Sequence, residues 1–297
     1  AVCSDRWIVA GDLRVVECMS GKVRQIPTNN VDVTFTQWRD DQNLVVAGVR
    51  DFETVIGEWN VDTGAFKEIW ASKELYCQNF FYPAAALRPG SADVVICATG
   101  HTTPAHLLHI TRESVRKIVD FGHEGIDEVL AKFRKVEPYR WKAPDGKEMH
   151  GWLMRGAGQE PAPLVMEVHG GPIWRWTQFP LTRSAYYAML AERGYAIFWP
   201  NPRGSSGGGQ DFARLVVGDM GGADTQDYLS GLDQLIAEGV ADPKRIGVTG
   251  GSYGGFMSSW LITQDQRFAA AIPLAPVTNW VSQHLTSNIP YFDTMCL

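Results

Sequence analysis

Cysteine is sparse in this chain and follows no pattern. Its five residues, Cys3, Cys18, Cys77, Cys97 and Cys296, are widely scattered, odd in number and include no C-x-x-C pair. That excludes a disulfide framework or a zinc site and points to buried free thiols. Positive charge is nowhere concentrated: 27 Lys and Arg stand against 33 Asp and Glu, a net charge of -6, so neither nucleic acid nor an anionic membrane is an expected partner. No apolar run approaches the ~18 residues that a membrane span requires. No signal peptide opens the chain, and a cytoplasmic location is the expectation. His101, His106 and His109 fall in a β region whose alternation sets His101 and His109 on the face opposite His106, so no metal is expected there. The run from Arg203 to Gly209 lacks the Lys-Ser/Thr ending of a phosphate loop and reads as a mobile loop beside an active site. No cofactor is expected.

What is present is enough for a substantial core. The 297 residues are 45 % hydrophobic and include 11 Trp, which suits one large or two medium domains. The first 120 or so read as β throughout. Residues 7–10, 14–18 and 23–26 form one group of short strands, residues 44–49, 54–61 and 65–70 a second, and residues 94–99, 105–110 and 115–119 a third. The groups begin 37 and 50 residues apart, a spacing that suits the blades of a β-propeller and equally allows a β-sandwich.

A polar, acidic stretch at 122–128 marks a boundary, giving a partial propeller of about three blades over 1–125 and a second domain over 126–297. Residues 136–141 and 149–154 form a hairpin around Pro144-Asp145-Gly146. Strands and helices then alternate, the sign of a largely parallel sheet with crossover helices. The strands are residues 164–168, 195–199, 246–249 and 268–274, the last read as buried. One helix covers 184–193, with Ser184 as its N-cap and Met189 and Leu190 facing inward. Another covers 224–238, with Tyr228, Leu229, Leu232, Leu235 and Ile236 on one face and Gly239 as its stop.

The stretch that carries chemistry is Gly250-Gly251-Ser252-Tyr253-Gly254. It fits G-x-S-x-G between a strand and a helix, the turn on which a serine is lifted clear of a sheet as a nucleophile. Acyl transfer through serine also needs backbone donors aimed at the developing oxyanion. Tyr253 supplies one amide, and His169-Gly170-Gly171-Pro172, directly after the strand 164–168, supplies the second through Gly170 or Gly171. The fold class is therefore an α/β-hydrolase preceded by all-β blades. Trp174, Trp176 and Phe179 fit a substrate cleft or the core equally well.

A triad in this fold runs Ser, then Asp or Glu, then His. Only 45 residues follow Ser252. Asp265 comes too early, directly after the elbow helix, and His284 precedes Asp293, the wrong order. A compact triad of Asp265 and His284 is set aside on topological grounds, and the expectation is that the chain is a fragment of a longer parent that supplies the acid and base.

In order along the chain, His169-Gly170-Gly171-Pro172, Asn201-Pro202-Arg203-Gly204-Ser205, Gly218-Asp219-Met220-Gly221-Gly222 with Asp224 and Asp227, Gly250 to Gly255, and Ala275-Pro276-Val277-Thr278-Asn279-Trp280 resemble the prolyl oligopeptidase family of serine peptidases. The likeness is greatest to its acylaminoacyl-peptidase and dipeptidyl-aminopeptidase branch and spans residues 136–297. It implies an N-terminal propeller, Ser252 as nucleophile, Tyr253 and Gly171 as oxyanion amides, and Tyr253, Val277 and Trp280 around an apolar pocket for the residue before the scissile bond. Two departures are Met220, where the family often has tryptophan, and a glycine-rich loop without its usual aromatic. The function implied is a peptidase of short peptides, working near their N-termini through an acyl-enzyme. The alternatives are an esterase of the same fold and a non-catalytic propeller interaction protein.

Overall fold

Alternation of apolar and polar residues dictates strands, and the computed structural model, which describes residues 2–4, 11–77, 85–88, 90–91, 93–158, 160–179 and 181–296, forms them in two units. One comprises Ala1–Leu130, Thr177–Arg183 and Ser206–Gln210, the other Ala131–Trp176, Ser184–Ser205 and Asp211–Leu297.

Among the described residues the first unit shows three antiparallel sheets. Strands β1 (Val2–Ser4), β2 (Asp12–Val16) and β3 (Val23–Ile26) form one. Strands β4 (Asp32–Trp38), β5 (Asn43–Arg50), β6 (Glu53–Asn60) and β7 (Phe66–Ser72) form a four-stranded meander. In the third, β8 (Tyr76–Cys77) and β9 (Ala86–Leu87) both pair with β10 (Val94–Thr99), which pairs with β11 (His106–Ile110), itself beside β12 (Val115–Asp120). Helix α1 (Glu124–Leu130) follows. Strands β5 and β6 are buried over their six central residues, because their alternate side chains feed two different cores. Leu44, Val46, Val55 and Trp59 join Leu13 and Ile26, whereas Val45, Ala47 and Ile56 join Val94, Ile96, Leu108 and Ile110. The meander is thus the middle layer of three, where a sandwich would have two.

Against expectation, β4 is an additional strand of the second group. Val33 and Phe35, with Val31 just before the strand, carry the period-2 signal that the reading above passed over. The strand expected at 7–10 lies outside the described residues. His101 sits on a turn before β11, its ring Nδ1 donating to the Phe179 carbonyl at 3.1 Å, so strand alternation does not govern its direction.

The second unit holds one six-stranded sheet in the order β13 (Val136–Lys142), β14 (Glu148–Met154), β16 (Ala196–Asn201), β15 (Ala162–Val168), β17 (Ala241–Gly251), β18 (Phe268–Leu274). The first two pairings along this order are antiparallel and the last three parallel. Its helices are α2 (Ala185–Glu192), α3 (Gln210–Ala213), α4 (Ala223–Ala237), α5 (Tyr253–Gln264), α6 (Trp280–Thr286) and α7 (Pro290–Cys296). Leu164, Met166, Ile246 and Val248 from the sheet pack with Leu232 and Leu235 of α4 and Met257 and Leu261 of α5. At roughly 2 kcal/mol for each fully buried aliphatic side chain, this layer dominates what holds the sheet and helices together. Helix α4 ends as its glycine demands: Gly239, at φ 73°, donates to Ile236 O, and Val240 donates to Leu235 O, the paired bonds of a left-handed C-terminal cap.

Two expectations about this unit are corrected. Met189 is 53 % exposed and Tyr187, on the same helix, is buried; the tyrosine hydroxyl reaches Glu167 Oε2 at 2.7 Å while its ring meets Trp199, so aromatic packing fixes the inward face of α2. Ser184 holds the N-cap position without a side-chain bond. Strand β18 is not buried: it is the last strand in the sheet order, and Ile272 and Leu274 are 63 % and 51 % exposed. No helix among the described residues is long and apolar enough to cross a membrane.

Candidate active site at the elbow of the parallel sheet

Parallel neighbours end together, and ligands of such sheets gather at the carboxyl ends of the strands. Val168, the last residue of β15, pairs with Gly250, and Gly251 pairs with Leu274 of β18. The loop that begins at His169 therefore leaves the sheet beside the turn that carries Ser252.

Ser252 joins β17 to α5 with φ 59° and ψ -117°, a region that a side chain enters only under constraint. The constraints are visible. Its amide donates to Leu274 O at 3.0 Å, its carbonyl accepts from Phe256 N at 3.0 Å, and its neighbours are glycines packed against backbone. A Cβ at Gly250 would lie 2.4 Å from Val168 O, one at Gly254 2.2 Å from the same oxygen, and one at Gly255 2.5 Å from Leu274 O. Ser252 itself is exposed while Tyr253, Gly254 and Gly255 are buried, so the turn presents the hydroxyl and hides the rest.

The loop after β15 is shaped by glycine as well. Gly171 has φ 115°, and a Cβ there would meet Ile173 N at 2.3 Å; one on Gly170 would lie 3.3 Å from Gly251 O and 3.4 Å from the Trp174 ring. The approach of Gly170 to Gly251 O sets the start of this loop against the elbow, and Gly171 folds back on Ile173 and Trp174 beside it. His169 braces the loop from within. Its Nδ1 is 2.8 Å from Gly170 O, which can only accept, so that nitrogen carries the proton and Nε2 accepts from the Ser205 hydroxyl at 2.9 Å. Burial lowers the His169 pKa to about 4, with the Arg175 charge acting in the same direction, and the ring is neutral at pH 7.

Tyr253 is placed differently from the pocket wall that the resemblance implies. Its side chain is 2 % exposed, and its hydroxyl donates to Asp224 Oδ2. Trp280 packs edge-on against Phe256 with ring centroids 5.4 Å apart, and Val277 is half-buried. Trp176 belongs to the core, its amide donating to Asn201 Oδ1 at 2.7 Å, and Phe179 is buried in the first unit, whereas Trp174 is 43 % exposed beside Gly170. The glycine-rich segment after Arg203 is clamped where a mobile loop was expected. Ser205 and Ser206 are buried, and within the first unit the Asp32 carboxylate accepts from Gly207 N at 2.6 Å and Gly209 N at 3.1 Å.

The motif residues that the sequence left without a task have structural ones. Arg203 donates from its backbone amide, Nε and Nη2 to the Asp227 carboxylate at 2.9, 2.8 and 2.7 Å, a two-pronged pair that pins the end of β16 to α4. Asp265 is held by Arg267 at 2.8 Å, which lowers its pKa, and it closes α5 as its C-cap. Among the described residues no three His, Cys, Asp or Glu side chains converge as a metal site would require.

The Prolyl oligopeptidase family profile matches residues 181–295. The chain is 43 % identical over 263 residues to the uncharacterized peptidase YuxL of Bacillus subtilis, covering 86 % of this chain and 38 % of that protein. It is 28 % identical to dipeptidyl-peptidase 5 of Porphyromonas gingivalis, covering 94 % and 40 %. Among solved structures, an acylaminoacyl peptidase of Pyrococcus horikoshii superposes with a TM-score of 0.78 at 27 % identity, covering 93 % of this chain and 43 % of that one. The chain thus spans about two fifths of the length of the relatives it matches. By the profile over residues 181–295 and by these relatives, the chain belongs to the prolyl oligopeptidase family.

Proposed function

We propose that this chain carries the nucleophile and oxyanion site of a serine peptidase that cleaves short peptides near their N-termini, as a dipeptidyl- or acylaminoacyl-peptidase does. The observation that carries the reading is Ser252, exposed at φ 59° on a turn whose glycines are packed against the β15 backbone. Nothing in folding alone rewards that strain, about 1–3 kcal/mol for such a residue.

In the reaction, Ser252 Oγ attacks the substrate carbonyl while a histidine takes its proton. The oxyanion is received by the amides of Tyr253 and of Gly171 or Gly170. Collapse of the tetrahedral adduct expels the amine, which takes up the proton, and water then releases the acyl group from Ser252. Val277 and Trp280 wall the pocket for the residue before the scissile bond, and Trp174 flanks the oxyanion loop. The stacked antiparallel sheets of the first unit serve as propeller blades that admit small unfolded substrates. The triad acid and histidine come, in this reading, from sequence encoded beyond Leu297, and the 297-residue chain alone is nearly inactive on peptides, whose amine must be protonated to leave, keeping the slow acylation by activated esters that Ser252, binding and oxyanion stabilisation supply.

The source reading frame tests this directly. An Asp followed by a His past Leu297, together with peptide-anilide turnover by the longer protein that Ser252→Ala abolishes, is the expected result. Turnover of p-nitrophenyl esters alone would make it an esterase, and a stop codon directly after Leu297 would sink the peptidase reading.

A further inference from the structure

Asp224 is 1 % exposed, and a carboxylate is costly to bury unless its hydrogen bonds have a purpose. Its Oδ1 accepts from Gly221 N and Thr225 N, both at 3.0 Å, and its Oδ2 takes the Tyr253 hydroxyl. The mount is itself braced. Thr225 Oγ1 donates to Gly221 O at 2.8 Å, and Trp260 of α5 donates to the same carbonyl at 2.8 Å. Gly221 stands so near α5 that a Cβ would come within 3.1 Å of the Phe256 ring. The start of α4 and the turn before it are thus bound to α5 by directional bonds at Tyr253, its first residue, and at Trp260, two turns further on.

The amides of a helix's first turn have no acceptor within the helix. The direction of the Tyr253 N–H is therefore set by the Ser252 dihedrals on one side and by the anchoring of the Tyr253 side chain on the other. We propose that Asp224 is a positioning residue, whose grip on the Tyr253 hydroxyl fixes the backbone amide that receives the oxyanion. This rests on Ser252 being the nucleophile. An apolar residue would fill the space as well; only an acceptor can hold the tyrosine in one orientation. The groups facing Asp224 are Tyr253 from α5 and Asp227 and Tyr228 from α4, with Arg203 on the far side of Asp227. Burial raises the Asp224 pKa to about 6, Asp227 adding to the rise and the Tyr253 bond opposing it, so the grip changes character within an accessible pH range.

The test uses the 297-residue chain and p-nitrophenyl acetate. Ser252 Oγ forms the acyl bond, its proton passes to solvent, and p-nitrophenolate leaves as a burst that Ser252→Ala defines as specific. Tyr253→Phe keeps the ring and deletes only the hydroxyl. The expected result is a fall of about tenfold or more in the acylation rate constant at unchanged half-saturation, the scale on which a displaced group costs rate. Asp224→Leu, which fills the space and offers no acceptor, should give a similar fall, the double variant no further one, and the inflection near pH 6 in the parent chain should vanish in Tyr253→Phe. A Tyr253→Phe chain that melts lower but acylates with the parent's rate constant and pH profile overturns the proposal, since Asp224 would then serve folding alone. Equal bursts from Ser252→Ala and the parent would instead remove the nucleophile reading, and the proposal with it.

Discussion

Two turns leave the same end of one sheet, and they meet the demand for unusual backbone in opposite ways. After β15 the chain places its positive φ on Gly171, at 115°, where no side chain suffers. After β17 it places φ 59° on Ser252, which has a side chain to accommodate. The first turn has only to present amides, which any residue carries. The second must present a hydroxyl, so glycine is excluded at the one position that would welcome it, and the surrounding glycines make room instead. Strain is thus found where chemistry forbids its removal.

The largest effect should come from refilling the room that those glycines make. Gly254→Ala places a Cβ 2.2 Å from Val168 O and 2.9 Å from His169 O, both backbone atoms that cannot swing aside. A loss of about 4 kcal/mol or more is expected, the range kept for such disruptions, and thermal melting by circular dichroism would register it as a chain barely folded. A melting temperature within a few degrees of the parent would show that α5 and the end of β15 separate more readily than the packing implies. Gly171→Ala should cost less, about 2–3 kcal/mol for a strained φ and a contact of 2.3 Å with Ile173 N, and should abolish the p-nitrophenyl acetate burst while the chain stays folded at 25 °C.

The serine itself gives a smaller effect of opposite sign. Ser252→Gly relieves the dihedral and should stabilise the chain by about 1 kcal/mol, the strain relieved less the entropy that glycine adds to the unfolded chain. Ser252→Ala leaves the Cβ in place and should melt with the parent. If the two variants melt together, the elbow stores no strain, and the contrast between the turns is one of shape alone.

How much of this the sequence disclosed depends on how far apart the partners lie. The elbow was legible because its requirements are local: glycines, serine, strand and helix fall within a dozen residues. The loop at Gly170 and Gly171 was legible because it directly follows an apolar strand. The pairs that brace both turns were not. Ser205 meets His169 across 36 residues and Asp224 meets Tyr253 across 29, and no periodicity links a carboxylate to a tyrosine over such a gap. The same blindness made the Arg203 to Gly209 segment look mobile, since the Asp32 carboxylate that holds it comes from 175 residues earlier. Met189 misled for another reason. Hydrophobicity marks a residue as fit for burial, but the packing of its helix decides, and on α2 the Tyr187 ring takes the inward side against Trp199.

The smallest prediction sets the two turns against each other by pH. On the loop side, His169 has its pKa lowered from 6.5 to about 4; between those values the unfolded chain holds a proton that the folded chain refuses. Its stabilising contribution is complete above pH 6.5 and is lost as the pH falls toward 4. On the elbow side, Asp224 has its pKa raised from 3.8 to about 6, and there the folded chain holds the extra proton. That contribution is complete below pH 3.8 and is lost as the pH rises through 6. Each is worth on the order of 3 kcal/mol at its limit, and over the shared window of pH 4 to 6 they oppose and largely cancel. Urea unfolding across that window would expose the balance through differences from the parent. His169→Asn should leave a chain whose stability falls more steeply with rising pH than the parent's, and Asp224→Asn one whose stability rises more steeply. Parallel curves for the parent and both variants would show that neither buried group titrates apart from its unfolded value, and the two turns would then differ in backbone geometry without differing in electrostatics.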